Sequence, residues 1–194
     1  MMATTANANE PKDKNILILG DSLSAGLGVN YDQAWPSLLQ LRINKTGASY
    51  RVINAGVSGD TTSGGISRLP RLLKKYSPEI LILELGGNDG LRGTSLKAIK
   101  KNLRDMISSA QSNGITVLLI GVQLPPNYGA LYTKGFEDIF SDLAKEYGLD
   151  LIQGSLKTMV NEGMMQSDGI HPNVSGHQQI ENIIWERLNK YLEK

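Results

Sequence analysis

The sequence has no cysteine, which removes a disulfide scaffold, a thiol nucleophile and a thiolate metal site together. Histidine is scarce as well. Only His171 and His177 occur, with no His-Glu-x-x-His pattern, so a zinc site would have to lean on those two rings and carboxylates. Charge of one sign is missing: 20 basic residues face 19 acidic ones, for a formal net charge of +1. No strong field therefore favours nucleic acid or an anionic membrane surface. The densest basic cluster, Arg71, Lys74 and Lys75, reads as one solvated helix face. No stretch approaches the roughly 20 apolar residues of a membrane helix, so no integral membrane segment is expected. Internal repeats and domain-splitting linkers are absent too.

What is there suits one compact domain of average globular composition, 194 residues with 40% apolar and 20% charged. Residues 1–14 are small and polar and read as a disordered tail, leaving 15–194 as the folded unit. Ala6-Asn7-Ala8 has the small-x-small form of a signal-peptidase site, with no apolar region before it. An export-signal remnant and an ordinary alanine-rich start are both compatible with it.

Five short apolar runs follow: 15–19, 50–53, 80–85, 116–120 and 149–152. Four are rich in Ile, Leu or Val without polar alternation, which predicts strands covered on both faces and hence a parallel sheet. Between them the spacing turns helical. Leu96, Ile99, Leu103, Met106, Ile107 and Ala110 form one stripe, closed by Asn113-Gly114, and Val174, Ile180, Ile183, Ile184 and Leu188 form another. Shorter helices are predicted over 35–43 and 136–147. Pro70 either starts a further helix or kinks it. Strand–helix alternation predicts a three-layer α/β/α sandwich with right-handed crossovers, whose ligands sit beyond the carboxyl ends of the strands.

Four loops at that edge carry chemistry. The first strand runs into Gly20-Asp21-Ser22-Leu23-Ser24, placing Ser22 where a side chain faces a substrate. Alone, this is as compatible with a plain turn, because a serine needs a base within reach. It is also not the Gly-x-Ser-x-Gly elbow, since position 24 is serine. Asn54-Ala55-Gly56-Val57-Ser58-Gly59-Asp60-Thr61 offers the Gly59 amide either as an oxyanion donor or as part of a phosphate cradle, although no P-loop lysine follows. Leu85-Gly86-Gly87-Asn88-Asp89-Gly90 offers the Asn88 amide as an oxyanion donor, or else an Asx-turn. In Asp168-Gly169-Ile170-His171-Pro172 the carboxylate is spaced to accept from His171 Nδ1, leaving Nε2 free for a serine proton. His177 reads as structural. Together these residues put a nucleophile, two oxyanion donors and an oriented base on one sheet edge.

These four blocks resemble those of the SGNH (GDSL) hydrolases, in that family's order and at about its spacing, over nearly all of the chain after residue 14. Leu19 to Gly26, Glu84 to Gly93 and Leu124-Pro125-Pro126-Asn127-Tyr128-Gly129 are similar to the bacterial multifunctional thioesterase, lysophospholipase and arylesterase branch. The resemblance implies a flavodoxin-like sheet ordered 2-1-3-4-5, no metal or organic cofactor, and a periplasmic or secreted location. It implies Ser22 as nucleophile, His171 as general base then acid, and Asp168 as its orienting partner. The Ser22 and Gly59 amides and the Asn88 side chain would form the oxyanion hole. Leu124, Pro125, Pro126, Asn127 and Tyr128 would line the acyl groove, with Pro126 and Ala130 departing from many relatives. The expected activity is hydrolysis of carboxylic esters and thioesters of short to medium chain, aryl esters and lysophospholipids, by a monomer. Two rival readings are a carbohydrate acetylesterase, disfavoured by 6% aromatic residues, and a non-enzymatic flavodoxin-like binding module.

Overall fold

The computed structural model describes residues 14–153 and 156–192, and for Pro126, Leu156 and Lys157 the backbone alone. In chain order the elements are β1 (Lys14–Gly20), α1 (Ser22–Ala25), α2 (Trp35–Thr46), β2 (Tyr50–Asn54), α3 (Thr62–Tyr76), β3 (Ile80–Glu84), α4 (Gly87–Leu91) and α5 (Leu96–Ser112). They continue with β4 (Thr116–Gly121), α6 (Ala130–Tyr147), β5 (Asp150–Gln153), α7 (Leu156–Asn161) and α8 (Val174–Leu188). The strands form one parallel sheet in the order β2-β1-β3-β4-β5, with helices on both faces. The expected tail over 1–14, with Ala6-Asn7-Ala8, lies outside the described residues except for Lys14, which opens β1.

The continuous apolar runs have a simple cause: alternate side chains enter two different cores. Leu17, Leu19, Leu81, Leu83 and Leu119 pack with Leu69 of α3, Leu103 and Met106 of α5, and Phe136 and Phe140 of α6. Their neighbours Ile16, Ile18, Ile80, Ile82 and Ile120 pack on the other face with Trp35 and Leu39 of α2 and Ile184 and Leu188 of α8. Each such side chain stabilises the fold by about 1.5–3 kcal/mol on leaving water. A polar residue at any of these positions has no solvent-facing side to use.

Strand and helix ends differ from the sequence reading by a few residues. α2 runs on to Thr46 through a polar last turn, and α6 begins at Ala130 with a turn whose Leu131 is exposed and so adds nothing to the buried stripe. Pro70 lies inside α3 rather than in its first turn, and the helix continues through it to Tyr76. β1 and β3 end side by side, with Gly20 paired to Glu84. A β-carbon at Gly20 would lie 2.2 Å from Ser24 Oγ and 2.7 Å from Glu84 Oε2, so only glycine lets the two strand ends and the following turn meet.

Candidate active site

All four chemical loops emerge at the carboxyl edge of the sheet. Ser22 opens α1 directly after β1, and its turn is held by the Asp21 carboxylate, which accepts from the Leu23 N–H at 3.0 Å. Ser22 Oγ lies 3.0 Å from His171 Nε2, across 149 positions of chain. His171 Nδ1 lies 2.6 Å from Asp168 Oδ2. Asp168 also accepts from the Ile170 and His171 backbone N–H groups through Oδ1 at 2.9 and 3.0 Å. The ring hydrogen bond, followed by these two amides, lowers the Asp168 carboxyl to about 2. An ionised carboxylate only accepts, so Nδ1 carries the ring proton and Nε2 presents a lone pair to the serine hydroxyl.

The histidine loop is a narrow turn tied at its base. Met165 and Pro172 bridge antiparallel, Gln166 N–H donates to the His171 carbonyl at 2.7 Å, and Asn173 caps α8 by accepting from Gly176 N–H. Gln166 then reaches across the site. Its amide donates to the Leu27 carbonyl beyond α1 and to the Pro172 carbonyl, at 2.7 and 2.8 Å. That side chain joins the nucleophile's loop to the base's loop, a role the sequence reading did not assign.

Gly59 sits at φ +78, a conformation a β-carbon strains, in the turn after β2. Its carbonyl accepts from Arg92, and Asp60 beside it is clamped by Arg68, whose Nε donates to Asp60 Oδ2 at 2.8 Å. The same guanidinium donates to the Ala55 carbonyl and, at 3.0 Å, to the Gly20 carbonyl, tying the exits of β1 and β2 together. Asn88 is on α4, which Asp89 anchors to α3 by accepting from Thr62 N–H and Oγ1–H at 2.8 and 2.7 Å. The Asn88 amide donates to Asp21 Oδ2 at 3.0 Å and to the Asp60 carbonyl at 2.9 Å.

Beside Ser22 and His171 opens a cavity of about 220 Å³, walled mainly by aliphatic side chains such as Ile120, Val122, Leu124, Ile152, Met159 and Ile183. Of the loop expected to line an acyl groove, Leu124 and Pro125 reach this cavity and Asn127 and Tyr128 do not. Pro126 lies in the 3₁₀ turn 126–128, with its side chain outside the described residues. The 3₁₀ turn carries Asn127 and Tyr128 past the wall. Met159 of α7 and Ile183 and Ile184 of α8 take their place; sequence spacing marked the two isoleucines only as a helical stripe and did not mark Met159. His177 is fully buried between α2 and α8, accepting from Trp35 N–H, and burial lowers its ring to about 4.

The sequence and the fold are similar to those of known proteins. Residues 18–179 match the model of the GDSL-like Lipase/Acylhydrolase family. The chain is 42% identical over 180 residues to Esterase TesA of Pseudomonas aeruginosa, covering 92% of this chain and 90% of that one. It is 42% identical over 159 residues to the Thioesterase 1/protease 1/lysophospholipase L1 of Escherichia coli, covering 81% and 75%. Among solved structures, psychrotrophic esterase EstA from Pseudoalteromonas sp., inhibited by monoethylphosphonate, superposes with a TM-score of 0.86 at 33% identity, covering 92% of this chain and 98% of that one.

Proposed function

Since the chain belongs to the GDSL-like lipase/acylhydrolase family, the SGNH hydrolases, we propose that Ser22 is its nucleophile, His171 its general base and then acid, and Asp168 the group that orients the ring. The protein is an esterase, acting on esters and thioesters. The observation that carries the residue assignment is the unbroken relay from Ser22 Oγ through His171 to Asp168, at 3.0 and 2.6 Å.

Ser22 Oγ attacks the acyl carbonyl while His171 Nε2 takes its proton, and the imidazolium that forms is stabilised by Asp168. The oxyanion receives the Ser22 and Gly59 N–H groups and the Asn88 amide. Both Asn88 hydrogens already have acceptors, so the oxyanion shares one of them in a three-centred bond or displaces the Asp60 carbonyl. His171 then returns the proton to the departing alcohol or thiol. Water, deprotonated by the same ring, releases the acid from Ser22. Ser22→Ala should abolish ester and thioester turnover while leaving the circular dichroism spectrum and unfolding midpoint intact; a folded variant with wild-type kcat contradicts the assignment.

For the finer substrate class we propose short to medium acyl chains, aryl esters and lysophospholipids. The aliphatic lining of the cavity supports this, with Leu124 and Pro125 at its wall and Asn127 and Tyr128 at most flanking it. We also propose that residues 15–194 act as one catalytic unit, as a monomer, and that the protein works in the periplasm or outside the cell. Among the described residues no helix is long and apolar enough to cross a membrane.

A further inference from the structure

Beneath the nucleophile lie two carboxyl groups that the relay does not use. Asp21 and Glu84 are only 1% and 3% exposed, and both border the cavity. Their partners differ. Asp21 accepts on both oxygens, from Leu23 N–H and from the Asn88 amide. Glu84 accepts on Oε2 alone, from the Ser24 hydroxyl at 2.8 Å and the Asp21 N–H at 3.2 Å, while its buried Oε1 has no hydrogen-bond partner. A buried oxygen without a donor is far less costly on a neutral acid than on a carboxylate. Nor, among the described residues, does either carboxyl form a salt bridge. Asp21 also feels His171, from the loop opposite, and Asp60, an anion engaged by Arg68, whose guanidinium donates to the Gly20 carbonyl next to Asp21.

We infer that Asp21 and Glu84 form a one-charge pair in which the Asp21 carboxylate is a positioning residue for hydrolysis, fixing the Asn88 amide and the Ser22 turn, while Glu84 is held as the neutral acid. The inference rests on the serine-hydrolase reading and extends it to two groups outside the proton relay. Burial, its largest cause, raises Asp21 to about 6, and burial followed by the Asp21 charge pushes Glu84 well above the usual carboxylate range. Near neutrality the pair therefore carries its charge on Asp21. That charge sits on the side of the site where His171 becomes an imidazolium, and it attracts the ion as the ion forms. Ionising Glu84 as well would set a second anion against the first, with no donor on its Oε1.

The test compares wild type with Asp21→Asn, the neutral isostere, by steady-state kinetics from about pH 5 to 8.5. The ratio of the two kcat profiles reports the Asp21 charge, its pull on the His171 imidazolium included. The inference predicts that Asp21→Asn loses kcat by about 10-fold or more at pH 8 with KM within about twofold. The gap should close below about pH 6 as wild-type Asp21 takes up its proton. A ratio that does not vary with pH, or no loss at all, overturns it. Wild-type turnover that survives Ser22→Ala would sink the parent reading instead, whatever the ratio does. Glu84→Gln supplies an independent measurement that needs no activity. The folded wild type keeps a proton that unfolded Glu84 releases above about pH 4.3. Its folding equilibrium should therefore fall relative to Glu84→Gln by up to about tenfold per pH unit from there upward. A difference independent of pH means that Glu84 is ionised in the fold, and overturns the one-charge pair.

Discussion

At the scale of single residues, the proposed chemistry turns on which ring nitrogen of His171 carries the proton. Asp168 decides it, because a carboxylate at 2.6 Å leaves Nδ1 no choice but to donate. An asparagine there presents an amide of either polarity, so Asp168→Asn should lower kcat by roughly 10³- to 10⁴-fold with little change in KM, measured on a p-nitrophenyl ester. The same carboxyl links stability to pH. Its folded value of about 2 lies below the unfolded value of about 3.9, so its contribution is full above about pH 4 and is lost as pH falls through 2. With the Asp168 side chain 44% exposed the contribution is small, and the variant's unfolding midpoint should simply depend less on pH in that window. Ser22, Asp168 and His171 were legible in sequence because each lies in a short block at a strand exit or a glycine turn. Glu84 and Gln166 were not, since each acts on residues 60 or more positions away. Glu84 did leave a trace, as a lone acid inside an otherwise apolar run.

At the scale of elements, the proposed relay depends on two loops from opposite ends of the chain keeping a fixed separation. Gln166 is the side chain that spans them, and Arg68 does the same for the exits of β1 and β2. Each Gln166 hydrogen bond contributes about 1 kcal/mol. Gln166→Ala should therefore lower kcat by about 10-fold and raise hydrogen exchange in residues 167–171, with the core unchanged; exchange unaltered in that loop would remove the clamp. The central strands β1, β3 and β4 were readable because both of their faces are buried, which makes each run continuous, while β2 and β5 lie at the sheet edges and are only partly buried. α1, α4 and α7 were not, as helices of 4, 5 and 6 residues are too short to display a period. The loop after β4 misled for a related reason: Leu124 and Pro125 point to the cavity, and the turn at 126–128 takes Asn127 and Tyr128 off the wall.

At the scale of the molecule, one sheet presents a face of leucines to α3, α5 and α6 and a face rich in isoleucine to α2 and α8. Its carboxyl edge is left for chemistry, with an aliphatic cavity leading away from Ser22. One methylene in such a cavity is worth about 1–3 kcal/mol, so kcat/KM across p-nitrophenyl esters from acetate to laurate should change gradually with chain length. An abrupt cutoff at one length would point to a rigid end wall instead. The account as a whole stands on Ser22 being activated by His171. Reaction with a fluorophosphonate, followed by peptide mass spectrometry, tests this directly. One adduct per chain on Ser22, greatly slowed by His171→Ala, is the predicted result; an unmodified Ser22, or label on another residue, contradicts it.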